Sequence, residues 1–454
     1  MTTDLSPAPA PRRDVATLVL FTAMVALLHA DQNLMAPSLT AIGTEFGFSR
    51  AEIDQRLGAD VNLTFWMLGG VVTLLIGYLT DRADLAARLS RKWLLVAVAF
   101  VGQLACLLSG FASSYGELHL LRALTGIGVG GAFPLVFSLV GDLFPVERRA
   151  AANATVGLAM GLGIAAGQQL AGSFGPVLGW RAPFILVAVP GLLLNLAFAW
   201  VAREPRRGQH EAALRDFLAE GHSYSERLRL ADLPDLLRVR TNLVLLLQAL
   251  PGTVPWGVFF VYLNDFYAHD KGFSVQVATL LVMAIGVAAL VGAFLGGLLG
   301  QRLFNRHPRY LPLLCALTTA GAVLPTALVI SYPVRPGAGL LGLIGPIAAG
   351  FASGLLAACT GPNVNTMLIN VNPPERRGAA FALLNLFNDL GRGLGAWVVG
   401  SLAATLGRVS AFHIANLLWL VCGAALLSLV WLFPREQAAM QARLRELATR
   451  PRRL

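Results

Sequence analysis

Charge is what this chain is short of. Asp, Glu, Lys and Arg make up 13% of its 454 residues, about half the share of an ordinary soluble domain, too little polar material to cover a water-facing surface. Cysteine is scarce as well. Cys106, Cys315, Cys359 and Cys422 sit far apart in apolar runs, which excludes a disulfide framework and any paired-cysteine metal or redox spacing. The seven histidines form no metal-ligand pattern and no paired acids accompany them at one interface, so neither a cofactor nor the constellation of a lipid enzyme is expected. A secretory leader is not expected either: MTTDLSPAPAPRRD is short, Pro-rich and polar, and the apolar run after it is longer than a signal-peptide core, as a start-of-membrane anchor would be.

What is present is apolar length. Hydrophobic residues account for 56% of positions and mean hydropathy is +0.65. Twelve runs approach or exceed the roughly 20 residues needed to cross a hydrocarbon core: 15–38, 59–80, 93–112, 116–141, 151–173, 181–202, 241–266, 276–300, 310–331, 339–370, 378–405 and 410–433. An all-α polytopic membrane protein follows. The net charge of +10 is arranged by side: apart from Arg50, Arg56, Arg122, Arg181, Lys271, Arg335, Arg392 and Arg408, every Lys and Arg lies in the tails or the even-to-odd loops. This is the positive-inside pattern, with both termini cytoplasmic. It accounts for the basic balance through the lipid bilayer, and no aromatic-plus-basic nucleic-acid module is seen. A multi-pass protein of the cell membrane, of the bacterial inner-membrane kind, and monomeric, is expected.

The two halves repeat. GFS at 47–49 recurs at 272–274; Gly77 with Asp81 and Arg82 is echoed by Gly297 with Gln301 and Arg302; PVERRAAA at 145–152 is echoed by PPERRGAA at 373–380. Matches in order at nearly constant spacing describe a parallel internal repeat. The expected division is an N-terminal six-helix bundle at 1–205, a basic cytoplasmic linker with amphipathic helices at 206–240, a C-terminal six-helix bundle at 241–436 and a basic cytoplasmic tail at 437–454. The fold is then twelve transmembrane helices in two six-helix bundles related by a pseudo-twofold axis.

Within this frame a few polar residues stand out. LLHADQNLMAP at 27–37 puts Asp31, Gln32 and Asn33 in the first run, and the charge alone costs about 2.5–3.5 kcal/mol at hydrocarbon depth, which makes it a functional candidate. Arg122 lies six residues inside the fourth run, about 9 Å from its outer end, against about 10–12 Å for Asp31. Either the two face each other, or Arg122 snorkels to the interface. The following Gly126, Gly128, Gly130 and Gly131 serve close helix packing. In the seventh run LPGTVPWG suggests a kinked or unwound cavity helix, with Trp256 standing where the first half has Asp31. GPNVN at 361–365 suggests a second break beside Asn363 and Asn365. The eleventh run holds Asn385, Asn388, Asp389 and Arg392; Asp389 and Arg392 either pair along one face or present a cation to substrate. His29 and His413 read as packing or surface residues.

These elements resemble the major facilitator superfamily over essentially the whole chain. GYLTDR at 77–82 with Arg91 and Lys92 resembles its loop between helices 2 and 3, interrupted here by ADLAARL. Together with Glu147, Arg148, Glu375 and Arg376 of the repeated ERR segments, Gly77, Asp81, Arg82 and Arg91 are the residues of a cytoplasmic gate, the alternative being a merely positive-inside loop. Gly157, Gly161, Gly163, Gly167 and Gly172 resemble the superfamily's antiporter motif, with Gln168 in place of proline. HADQNLMAP, SRKWLL, RALTGIG and DLFPVERR are similar to the Spinster-like lysophospholipid and sphingolipid transporters, with Gln32 where that branch has arginine and Val129 where it has glutamate. The resemblance implies a secondary transporter, not an enzyme. Asp31 and Arg122 would be its proton-coupling pair, and Gln32, Asn33, Trp256, Asn363, Asn365, Asn388, Asp389 and Arg392 would line the substrate cavity. A lysolipid-like amphiphile is the favoured substrate; small organic anions or drugs exchanged for protons, or a non-transporting sensor, are the alternatives.

Overall fold

In the computed structural model the described residues are 12–81, 90–144, 146–202, 204, 233–333, 341–342, 344–373 and 376–449, and almost all are helical. α1 begins as Arg12–Ala30, passes through 3₁₀ turns at Asp31–Asn33 and Ala36–Ser38, and finishes as Leu39–Glu45. Pro37 enforces the interruption, since its ring admits no bond to the carbonyl four residues back. α2 comprises Arg50–Glu52, a π segment Ile53–Asp60 and Val61–Asp81. α3 is Arg91–Ser109, α4 Tyr115–Leu143, α5 Val146–Leu178 and α6 Ala182–Val201. After the short helix Leu233–Arg238, α7 runs through Arg240–Gly257 and π segments at Val258–Tyr262 and Phe266–Asp270. α8 is Val275–Arg306; α9 is Tyr310–Gly321 with Val323–Ser331; α10 is Ile344–Ala358 with Thr360–Val371; α11 is Arg377–Leu406 and α12 is Arg408–Thr449. Among the described residues ten of these helices are long and apolar enough to cross a membrane by composition.

The repeated GFS is a turn-and-cap device. Gly47 and Gly272 adopt φ of 72° and 75°, a left-handed conformation that costs glycine little. Ser49 and Ser274 then cap the next helices by accepting from Glu52 and Val277 backbone N–H groups. Two expected features differ. The break in α10 falls at Cys359, not at GPNVN, because Pro362 occupies the first turn of the second segment, where a proline costs no helical bond. In α7 the helix continues through both prolines of LPGTVPWG, and Trp419 Nε1 donates to the Gly252 carbonyl at 2.9 Å. The linker, apart from 233–240, lies outside the described residues, and the tail through Thr449 continues α12 as one helix.

The packing repeats with the halves exchanged. α1 packs on α5 and α6 as α7 packs on α11 and α12, and α2 packs on α4 as α8 packs on α10. The halves meet along α2–α11 and α5–α8. Where α1 begins and α12 ends is the basal end; the other is the apical end. One apolar cluster occupies the apical end and joins both halves, with Leu34, Ile42, Leu57, Phe184, Tyr262, Leu281, Val399 and Phe412 among its members. Towards the base the core splits in two: one cluster lies wholly in the first half, around Phe21, Leu95, Val136 and Phe198, and one wholly in the second, around Leu245, Leu311, Met367 and Phe433. The molecule is closed at the apex and parted at the base.

Glycines bring backbones together within each half. A Cβ at Gly167 would lie 1.9 Å from the Ala30 carbonyl oxygen and one at Gly163 2.1 Å from that of Ala26, so α5 lies directly on α1 below Asp31. Gly126 and Gly130 are pressed in the same way on Phe65 and Gly69 of α2. Gly167→Ala is therefore expected to destabilise the folded protein by about 1–3 kcal/mol or more through overpacking. Gly157→Ala, where a Cβ meets nothing within 4 Å, should be neutral or slightly stabilising. Melting curves in detergent separate the two, and equal midpoints would refute this account of the α1–α5 contact.

Candidate functional site

A cavity of about 310 Å³ lies between the halves, walled by α1, α2, α4, α5, α7 and α11. Its polar side carries Gln32 and Asn33 from the 3₁₀ turn of α1, Asn62 from α2, and Asn385, Asn388, Asp389 and Arg392 from α11. Its apolar side carries Phe65, Trp66, Phe133, Met160, Trp256 and Phe260, with the Trp256 and Phe260 rings stacked at 5.5 Å. Arg392 Nη1 donates to Asp389 Oδ1 at 3.2 Å and its guanidinium lies 4.9 Å from the Trp66 ring centre. Its side chain is 44% exposed, so the cation retains free donors toward the cavity.

Of the residues expected in the cavity, Gln32, Asn33, Trp256, Asn388, Asp389 and Arg392 line it; Asn363 and Asn365 do not. Asn363 is buried between helices, donating to the Gly296 and Cys359 carbonyls at 3.0 and 2.8 Å, and its side chain fills the space over Gly300. Asn365 is exposed elsewhere on α10. Both follow from α10 being helical through GPNVN. His29, read from sequence as packing, lines the cavity.

Asp31 and Arg122 are brought together. Arg122 Nη1 donates to Asp31 Oδ1 at 2.5 Å and Nη2 to the Asp31 carbonyl at 3.1 Å, an oxygen that also accepts from the Leu34 N–H of the 3₁₀ turn at 3.3 Å. Both side chains are sealed, at 1% and 3% exposure, and the guanidinium lies 5.6 Å from the ring centres of Phe65 and Phe184, a cation–π setting. Asp31 does not line the large cavity, and Arg122 reaches only a small recess beside it. Snorkelling is thereby set aside for Arg122: it is neutralised in place.

A group that the sequence did not single out closes the apex. Arg408, at the start of α12, donates from Nη2 to Asp54 Oδ1 at 2.6 Å and to Asp265 Oδ2 at 2.8 Å, and from Nη1 to Asp270 Oδ2 at 2.8 Å. Arg50 joins Asp270 at 2.5 Å, and the Thr40 N–H and hydroxyl donate to Asp265 Oδ1. Thr40, Arg50 and Asp54 belong to the first half; Asp265, Asp270 and Arg408 belong to the second. Tyr262 extends the seam by donating to the carbonyls of Asp54 and Ala396. A signal for this cluster was available: Arg50 and Arg408 are two of the few cations on the side that the positive-inside pattern leaves poor.

At the base the ion pairs stay within halves among the described residues. Arg91 joins Asp142 at 2.5 Å and Glu204 at 3.1 Å, while Ser90 Oγ and the Lys92 N–H donate to Glu204 Oε2, tying the bases of α3, α4 and α6. Partial burial would raise the Glu204 pKa, but the bonds from Ser90, Lys92 and Arg91 outweigh it and hold the carboxyl below its usual 4.5. The clamp is therefore intact at neutral pH, and its contribution fades as pH falls through that lowered value. In the second half Glu436 accepts from the Arg240 and Thr241 N–H groups. Of the expected gate residues, Gly77 lies near the base of α2, where a Cβ would meet nothing within 4 Å among the described residues. Asp81 ends α2, and Arg376 precedes α11 with its N–H donating to Pro373 O. The side chains of Asp81, Glu147 and Arg148, and all of Arg82 and Glu375, lie outside the described residues.

The chain belongs to the Major Facilitator Superfamily, whose model matches residues 21–345; it is a multi-pass membrane transporter. It is 25% identical over 83% of its length, and 89% of the relative's, to a putative metabolite transport protein of Haemophilus influenzae. With the purine ribonucleoside efflux pump NepI of Escherichia coli it shares 24% identity over 50% of this chain and 53% of that one. Its fold is similar to the crystal structure of a bacterial homologue of the human lysosomal transporter Spinster in an inward-facing, unoccupied conformation, with a TM-score of 0.76 at 17% identity, covering 94% of this chain and 99% of that one.

Arg408→Met would leave Asp54 and Asp265 buried without their cation, a loss of about 3–5 kcal/mol for a buried pair broken on one side, borne by the apically closed state. Spin labels at Thr44 and Ser410, exposed on opposite halves of the apex, are expected to move to longer separations. An unchanged distance distribution with an unchanged melting temperature would show that the cluster does not hold the apex.

Proposed function

We propose that this protein is a proton-coupled secondary carrier of an amphipathic anion, a single-chain lysophospholipid or sphingolipid being the favoured class, working by alternating access between the two halves. The observation that carries the proposal is the two-sided cavity: an aromatic wall of Phe65, Trp66, Phe133, Trp256 and Phe260 suited to a hydrocarbon chain, opposite an amide-rich wall with Arg392 as the cation for a phosphate headgroup. Its base is the cytoplasmic side by the distribution of Lys and Arg, both termini with it, in a membrane of the bacterial inner kind; the carrier acts as a monomer of two bundles, 1–205 and 241–436, with linker and tail at the cytoplasmic face. The pair Asp31–Arg122 carries the proton, bound and released as movement of α1 against α4 changes their separation. Gly77, Asp81, Arg82, Arg91, Glu147, Arg148, Glu375 and Arg376 act as the cytoplasmic gate when the base closes.

A compact ring metabolite, exported as by NepI, is the second candidate. The stacked Trp256 and Phe260 and the four asparagines around them suit a planar, hydrogen-bonding molecule.

Thermal unfolding of the purified carrier distinguishes the two. Lysophosphatidylglycerol should raise the midpoint, by the equivalent of about 2.7 kcal/mol at a hundredfold excess over its Kd. Arg392→Gln should weaken its binding tenfold or more while affecting zwitterionic lysophosphatidylcholine less. A midpoint raised by purine nucleosides and untouched by lysolipids would transfer the assignment to the metabolite class. In proteoliposomes, Asp31→Asn is expected to abolish proton-driven uptake; uptake that keeps its full response to a pH gradient would remove Asp31 from the coupling.

A further inference from the structure

If the cavity takes an anion, its charge balance is incomplete. Asp389 and Arg392 neutralise each other at 3.2 Å, so an anion bound beside them leaves the site net negative inside a low-dielectric wall, where uncompensated charge is costly. Asp31 cannot correct this from its present position, because it faces Arg122 and is absent from the cavity wall. His29 is on that wall. Its Nδ1 is engaged with the Val25 carbonyl at 2.9 Å, which fixes Nδ1 as the protonated nitrogen of the neutral ring and leaves the Nε2 lone pair unused.

The charged and titratable groups around it are few. On α1, Asp31 is two residues further and turned to Arg122 of α4; α3 contributes Cys106, which lies beside Asp31. α6 carries no ionisable residue, and those of α5 are confined to its first turn. Across the cavity, α11 presents Asp389 and Arg392.

We infer that His29 is the proton acceptor of the cavity: when the anion binds, Nε2 takes one proton from cavity water, and the resulting imidazolium is the second cation, opposite Arg392, that the headgroup needs. The step is a protonation only; neutral imidazole plus a proton becomes imidazolium, and a monoanion with that proton crosses without net charge. His29 thus takes up a proton with the headgroup itself, in addition to the proton that the sealed Asp31–Arg122 pair binds and releases as the helices move. This assignment rests on the cavity being the site of an anionic substrate.

Calorimetric titration of the full-length protein with lysophosphatidylglycerol, in buffers of different ionisation enthalpy, measures protons taken up per lipid bound. Wild type should take up about one, with Kd weakening by up to about tenfold per pH unit as pH rises through the linked range. His29→Asn, whose amide can still donate to Val25, should take up almost none, bind more weakly and lose the pH dependence; His29→Gln provides a second carrier of the same change. Proton uptake retained in both variants, or retained there and lost in Asp389→Asn, would overturn the role of His29 while leaving the lipid site intact. Absence of any lysolipid binding by wild type would instead overturn the substrate class, and this inference with it.

Discussion

The arrangement of the two halves depends on how one guanidinium is neutralised. Arg408 is withdrawn from water at the apex, and its donors are met by Asp54 from one half and by Asp265 and Asp270 from the other. Bringing these charges together is costly in desolvation and returns about as much in attraction and hydrogen bonding, so such a cluster adds little net stability. For a moving protein that balance matters. Charges that regain water on separation offset part of the cost of parting the apolar cluster that surrounds them. The cluster specifies which faces meet without fixing them permanently.

From that closure the cavity follows. With the apex joined by one apolar cluster and the base divided into two, the cavity between the halves is shut off from the apical side by that cluster and the Arg408 group. The glycine contacts act on a different boundary. Gly163 and Gly167 hold α5 against α1, and Gly126 and Gly130 hold α4 against α2, all inside one half, where overpacking would be felt directly. Across the halves, Gly161 of α5 meets the Leu290 side chain of α8, and Gly172 meets Thr279, whose hydroxyl is held by Asn264 and the Val275 carbonyl. Between α11 and α2 the halves also approach through backbone, a Cβ at Gly400 lying 2.6 Å from the Asp54 carbonyl oxygen, at the apical end where the molecule is closed.

Much of the fold was legible because hydrocarbon imposes long apolar runs and repetition preserves their order. The wrong-side cations were more informative than they first appear. Arg50, Arg56, Arg122, Arg181, Arg392 and Arg408 each meet a carboxylate, so a cation outside the positive-inside pattern points to a buried or local acid. Its partner was harder to read, since Asp54 and Arg408 are brought together only by packing of α2 against α11 and α12. The cavity wall was only partly legible for the same reason: which face of α10 turns inward is set by its contact with α8 through Asn363 and Gly296, and by the position of the break at Cys359, neither of which local pattern specifies.

The first helix shows how a small local irregularity divides two roles. Residues two apart on a helix point to different sides, and Pro37, by preventing the α-helix from running on, leaves the segment around Asp31 as 3₁₀ turns in which the Asp31 carbonyl accepts from the Leu34 N–H and has its second lone pair for Arg122. Arg122 takes that carbonyl together with the carboxylate, which holds Asp31 toward α4 and out of the cavity, while His29, one turn after the Val25 carbonyl it binds, remains on the cavity side. The break therefore separates the charge that senses helix movement from the ring that meets the substrate, and a carrier that binds in one shape and releases in another needs these to be different groups.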